Sequence, residues 1–140
     1  MNILLAVDGS KFTKKMLAYL VTHDVVFGND NSFTVMTVQP TMPPRVRAAL
    51  GKSVVEQYQH DEAERVLAPV SRFLQRHGID AKSTWKAGIA GEQIARFAEA
   101  GKFDMLVMGS RGHGALGNLV MGSVATKVLA SCKVPVLLVR

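Results

Sequence analysis

The sequence predicts an α/β protein with one doubly wound, five-stranded parallel sheet and helices on both faces. Three observations carry this. Short apolar runs of strand length alternate along the chain with longer stretches of helical periodicity, an order that calls for parallel strands joined by crossover helices. The first run, Asn2 to Val7 (NILLAV), is apolar without alternation, as in a strand covered on both faces. A glycine-rich stretch, Gly109 to Ser123 (GSRGHGALGNLVMGS), follows another such run and leads into a helical pattern. Right-handed crossovers leave few topologies, and ligands in such sheets bind beyond the strands' C-terminal ends, where strand order reverses.

Taken in order, NILLAV is the first strand and Asp8-Gly9-Ser10 breaks it. Ser10 suits the N-cap of a helix that turns Met16, Leu17, Leu20 and Val21 to one face. Phe27 to Asn31 reads as loop. Phe33 to Val38 (FTVMTV) is a β-branched second strand. Thr41 to Gly51, with Pro43, Pro44 and Gly51, reads as a mobile loop with room for one short helical turn. A long helix follows, about Ser53 to His77, with Pro69 expected to kink it and Gly78 to close it in a left-handed conformation. Ala81 to Ala87 (AKSTWKA) is a polar third strand suited to a sheet edge. Glu92 to Ala100 is a helix with Ile94, Phe97 and Ala98 inward and Gly101 as its cap. Phe103 to Met108 (FDMLVM) is the fourth strand. After the glycine-rich stretch, Val124, Val128 and Leu129 pack the last helix, and Val134 to Val139 is the fifth strand.

A chain of 140 residues suits one domain, 1–140. Its 48% hydrophobic and 20% charged residues describe a soluble globular protein. No apolar stretch reaches the roughly 18 residues of a membrane helix, and the first residues lack the basic region and cleavage site of a signal peptide; no membrane partner is expected. The one cysteine, Cys132, permits no internal disulfide and reads as a buried thiol, which suits a cytoplasmic location. The net charge of +6 favours anionic partners. The basic residues are spread out, without a basic block interleaved with aromatics, so nucleic acid is not the expected partner.

The glycine-rich stretch is the centre of the functional reading. A strand, a glycine loop and a helix N-terminus together form a phosphate site, because the helix start offers unpaired N–H groups and a partial positive charge. Gly112 to Gly117 fits G-x-G-x-x-G, but the helix does not open at those glycines and no acidic residue stands about twenty positions on. Gly51-Lys52-Ser53 lacks the first glycine of a Walker loop, since Val46 holds that place. A third spacing fits: Gly109-x-x-Gly112, nine residues, then Gly122-Ser123.

With that spacing, Val7-Asp8-Gly9-Ser10 after the first strand, Gly88 before the third helix, MGSRG after the fourth strand and the closing VPVLLV, the sequence resembles the ATP-binding branch of the universal stress protein family over nearly its whole length. The resemblance implies a Rossmann-like, adenine nucleotide-binding sheet of order 3-2-1-4-5, with its crevice between strands one and four. It implies ATP as the ligand, a nucleotide-responsive sensor or switch in the stress response, and a homodimer formed through Val134 to Val139; the residues leave open whether magnesium or manganese accompanies the phosphates.

Gly112, Gly122 and Ser123 can present backbone N–H groups to phosphate, and Ser123 adds a hydroxyl that could instead serve as an N-cap. Asp8 either caps the turn or accepts hydrogen bonds from the nucleoside, as the resemblance implies. Val38 is core by its side chain, and by resemblance the position whose backbone reads the adenine edge. Gly88 belongs to the expected set, although Ala90 stands where the family commonly has proline. Arg111 either offsets phosphate charge or is solvated. Met108, Gly109 and Val124 complete the set. His113 reads as a surface residue, and His23, His60 and His77 form no metal-ligand spacing with it. No base and second carboxylate accompany the phosphate loop, so at most weak ATPase activity is expected. Two other readings stay open: a basic adaptor for a protein or nucleic acid, independent of nucleotide, and a hydrolase that takes its base from Thr41 to Gly51 or from a partner subunit.

Overall fold

The computed structural model describes residues 1–114 and 117–140; Ala115 and Leu116, within the glycine-rich stretch and its G-x-G-x-x-G match, lie outside them. Five strands form one sheet of order β3-β2-β1-β4-β5. They are β1 Asn2–Ala6, β2 Ser32–Gln39, β3 Ala81–Ala87, β4 Met105–Gly109 and β5 Val136–Val139. Each neighbouring pair is parallel; Leu5 stands beside Val35 on one side and Val107 on the other.

The unbroken apolar run of β1 has a direct cause. Ile3, Leu5 and Val7 join a core cluster with Met16, Leu17 and Leu20 of helix α1 (Lys11–Thr22) and Leu67, Val70 and Leu74 of helix α4 (Lys52–Arg76). Leu4 and Ala6 point the other way, into a cluster with Ile94 and Ala98 of helix α5 (Ala90–Ala100) and Ala125 and Val128 of helix α6 (Ser123–Ser131). Two layers of helix thus bury both faces of the central strand, and each valine, leucine, isoleucine or methionine among them contributes about 1.5–3 kcal/mol when fully buried. The edge strand β3 is half-buried to exposed along its length, which is why its sequence is polar.

Several local expectations need correction. Thr41 to Gly51 is not a loop with one turn: helix α3 occupies Pro44–Leu50, with proline at the first helical position, where its missing N–H and fixed φ do no harm. A short helix α2 (Asp24–Phe27) takes the residue expected to open the next loop and buries Phe27. Pro69 is accommodated within one continuous 25-residue helix. Leu129 is 46% exposed, because α6 turns Ala125 and Val128 to the sheet instead. Cys132 is half-buried at the end of α6.

The two helix ends assigned to glycine differ in mechanism. Gly78 has φ +74, with Ile79 N–H bonded to Leu74 O and Gly78 N–H to Gln75 O, the paired bonds of a Schellman end. After α5 the same pair runs from Phe103 N–H to Ala98 O and from Lys102 N–H to Glu99 O, so Lys102, at φ 52, is the left-handed residue. Gly101 is needed for space: a Cβ there would strike the Phe103 ring. No helix among the described residues is long and apolar enough to cross a membrane.

Candidate functional site

β1 and β4 are neighbours, yet the chain leaves them in opposite directions. α1 covers one face of the sheet and α6 the other. Their C-terminal ends therefore flank a crevice, and a cleft of about 840 Å³ opens there. Asp8, Val38, Met108, Gly109, Arg111, Gly112, Gly122, Ser123 and Val124 all line it. Gly88 does not. Its N–H bonds Gln39 O at 2.9 Å, its φ is +146, and a Cβ there would meet Gln93. It closes the β3–α5 turn, and Ala90, two residues on, lines the cleft in its place.

Asp8 is anchored on one side only. Its Oδ1 accepts from Ser10 N–H at 2.9 Å and from Thr13 Oγ1 at 3.0 Å, and Thr13 Oγ1 in turn accepts from Asp8 N–H at 3.1 Å. The capping role and the cleft-lining role thus coexist in one side chain. The other oxygen, Oδ2, faces Gly112 so closely that a Cβ there would overlap it.

That contact begins to explain the glycine spacing. At Gly109 a Cβ would lie 2.7 Å from the Phe12 Cβ, on the first turn of α1. At Gly122 it would lie 3.3 Å from the Arg111 Cα and 3.8 Å from the Gly112 nitrogen. Gly122 N–H also bonds Ser110 O at 2.7 Å. The three glycines let the turn after β1, the loop after β4 and the start of α6 press together, so that one backbone surface faces the cleft.

The start of α6 is the site's open electrostatic element. Gly122 is the N-cap, in extended conformation, and no side chain caps the helix. Ser123 is therefore the first helical residue, exposed, with its hydroxyl not spent on capping. The first N–H groups of such a helix have no intrahelical acceptor and carry the positive end of its dipole. Thr126 Oγ1 bonds back to Gly122 O at 2.9 Å and leaves those donors untouched.

Arg111 lines the cleft, and its guanidinium carbon lies 4.4 Å from the centroid of the Phe12 ring. Its Nε is buried without a hydrogen-bond partner among the described residues, as is Ser110 Oγ, which also lines the cleft. His113 is more than a surface residue: Nε2 donates to Asp8 O at 2.7 Å and ties the glycine loop to the β1 turn. Sequence reasoning missed this tie and the Thr13 bonds. The signal for Thr13 was present, three residues after the N-cap Ser10, where polar side chains reach back toward the helix start; here it reaches past the cap to Asp8. The His113 tie carries no local signal, since its partner is 105 residues away. No cluster of three metal-ligating side chains occurs among the described residues.

The fold and this crevice define a class: doubly wound α/β proteins with an uncapped helix start at the topological switch point. Within it, the chain belongs to the universal stress protein family, whose model matches residues 1–140. It is 32% identical over 140 residues to a universal stress protein of Thermus aquaticus, covering 99% of this chain and 98% of that protein. It is 31% identical over 140 residues to one of Synechocystis sp., covering 99% of this chain and 42% of that protein. The chain thus spans less than half the length of the Synechocystis relative, whereas it matches the Thermus relative almost end to end.

Solved structures share the fold. UspA from Lactobacillus plantarum superposes with a TM-score of 0.80 at 18% identity, covering 100% of this chain and 97% of that one. The Archaeoglobus fulgidus universal stress protein in complex with dAMP gives 0.68 at 19%, covering 100% and 98%. An Arabidopsis thaliana family member with AMP bound gives 0.71 at 16%, covering 99% and 90%.

Proposed function

We propose that the cleft binds an adenine nucleotide, ATP, and that the protein acts as a nucleotide-responsive sensor or switch in the stress response. The observation that carries this reading is the uncapped start of α6 at the β1/β4 crevice, beside glycines where a Cβ would strike Phe12, Asp8 or the Arg111 backbone. The cleft's volume of about 840 Å³ lies within the usual 300–1,000 Å³ of small-molecule sites. Family membership and nucleotide-bound neighbours of the same fold support it.

In this reading Gly112, Gly122 and Ser123 hold the phosphates, the last by hydroxyl as well as backbone. Asp8 Oδ2 accepts from nucleoside donors, while Met108, Gly109, Val124 and Val38 shape the apolar floor. A hydrogen bond to a charged group contributes about 1.5–3 kcal/mol. Two or three of them approach the ~8 kcal/mol of micromolar affinity before ordering costs. A magnesium or manganese ion would be held chiefly through the phosphates, as such ions commonly are. When bound, it would neutralise phosphate charge.

Asp8 is the one carboxylate among the described residues lining the cleft, and its Oδ1 is already engaged. Binding with slow turnover follows. Steady hydrolysis near one ATP per second by purified protein would refute that part. The β5 edge supports a homodimer: it pairs only with β4, and its four residues are apolar and half-buried.

The test of the nucleotide reading is to denature purified protein and identify what is released by absorbance and chromatography, then titrate emptied protein with ATP, ADP and AMP by calorimetry. Released adenine nucleotide, or saturable binding by the emptied protein, is expected. Neither would leave the cleft without its proposed ligand.

A further inference from the structure

The glycine loop between β4 and α6 is fixed at its ends. Ser110 N–H bonds Val139 O at 2.9 Å, and Gly122 N–H bonds Ser110 O at 2.7 Å. Between those points, residues 111–114 and 117–121 make one hydrogen bond to another segment among the described residues: His113 Nε2 to Asp8 O, at 2.7 Å. Arg111 adds only the approach of its guanidinium to the Phe12 ring. His113 is exposed, so no core packing forces its ring onto that carbonyl, and water could serve both groups. A bond of this kind contributes little to the fold; its effect is on position.

Both ends of the bond belong to the site. Asp8 has Oδ1 held by Ser10 and Thr13, while Oδ2 faces Gly112. His113 directly follows Gly112, whose nitrogen lies 3.8 Å from where a Cβ on Gly122 would stand, at the N-cap of α6. The tie thus sets Gly112 against the open helix start on one side and against the Asp8 carboxylate on the other. Glycines flank His113 on both sides, and Gly114 takes φ +75. Glycine loses more backbone freedom on ordering than any other residue. A segment of this composition needs a pin to hold one conformation, and His113 is the one side chain in it.

We propose that His113 is a positioning residue of the nucleotide site: its bond to the Asp8 carbonyl orders Gly112-His113-Gly114 before a ligand arrives. This role rests on the nucleotide reading of the cleft. Nε2 is committed to Asp8 O, so His113 acts through Gly112 and Asp8 rather than on the phosphates. Ordering contact groups in advance lowers the cost of binding. Without the tie, each nucleotide has to order two glycines itself, and affinity falls by that amount.

The test compares the whole chain, freed of nucleotide, as wild type, His113→Ala and His113→Gln. Alanine removes the donor; glutamine restores a neutral N–H donor without an imidazole. By calorimetry, ATP should bind His113→Ala about three- to tenfold more weakly, the loss of one hydrogen bond, and His113→Gln within about twofold of wild type. Backbone order parameters of the ligand-free chain, from NMR relaxation, give a readout that a general loss of stability would not move. Gly112, His113 and Gly114 should be near the rigid value of about 0.85 in wild type and His113→Gln, and below about 0.6 in His113→Ala. Saturating ATP should return the alanine variant to the wild-type value. The urea midpoint should stay unchanged, because His113 is exposed.

Equal ATP affinity in His113→Ala, a loop as ordered in that variant as in wild type, or a wild-type loop already mobile would each overturn the proposal. Glutamine as weak as alanine would do so too, since the imidazole would then act by its ring or charge. So would a urea midpoint that falls together with affinity, which makes the bond a support of the fold. Wild-type chain that binds no adenine nucleotide sinks the nucleotide reading and this role together. Wild-type binding with any of the other results sinks this role alone.

Discussion

Two helices start at the same crevice and are finished differently. α1 begins after β1 with a side-chain cap: Ser10 Oγ accepts from Phe12 N–H at 3.3 Å, and Asp8 Oδ1 accepts from Ser10 N–H and the Thr13 hydroxyl. α6 begins after the loop that follows β4 with glycine at the N-cap and no side-chain acceptor. Both starts carry the same kind of dipole. The difference lies in the acceptor: a side chain supplies it at α1 and none does at α6. The missing cap costs little, since glycine is only a few tenths of a kcal/mol worse than a polar residue at an N-cap. An open start thus costs α6 little stability.

The largest expected effect comes from closing the open start. Gly122→Val would push side-chain atoms into the Arg111–Gly112 backbone, already 3.3 Å from where a Cβ would sit. ATP affinity by calorimetry should fall about a hundredfold or more, the loss of two charged hydrogen bonds. Some stability should go with it, because the clash is with the loop itself. Retained affinity would mean the phosphates do not lie at α6.

Ser123→Ala comes next. Since Gly122 holds the cap, the hydroxyl has no structural duty. ATP affinity should drop about tenfold, while the urea midpoint stays nearly unchanged. A clear loss of stability instead would show Ser123 to be structural and would erase the contrast between the two starts.

Ser10→Ala is the mirror test. Its hydroxyl serves α1, so denaturation should report a loss of about 1 kcal/mol, with ATP affinity within about twofold of wild type. A parallel fall in affinity would mean that the β1 turn feeds directly into ligand binding.

The smallest effect is remote from both starts. Lys102→Gly relieves a left-handed lysine at φ 52. It should raise stability by about 0.5–1 kcal/mol in urea denaturation and leave nucleotide binding alone, which calibrates what a purely structural change does.

Legibility in the sequence followed the range of the interaction. Strands and long helices were readable because a two-sided strand and a one-sided helix impose different spacings on apolar residues. The end of α4 was readable because only its own last turn decides it. α3 was not: two prolines and exposed apolar residues look like a loop when nothing is buried to reveal a period. Gly88 was placed in the site from resemblance, whereas the contact with Gln93 assigns it to a turn. His113 read as a solvated residue because its acceptor, Asp8 O, comes from the far end of the chain.

From the linear order of residues came the class of fold, the glycine loop before the last helix and, with the family resemblance, nine positions that line the cleft. These depend on local periodicity and on spacing within a few turns. Tertiary structure decided why those glycines are required, since Gly109 and Gly112 yield to Phe12 and Asp8 from α1 and its approach. It also decided which helix start stays open. Such outcomes depend on steric contact between segments about a hundred residues apart, and no local pattern records a neighbour that only folding brings near.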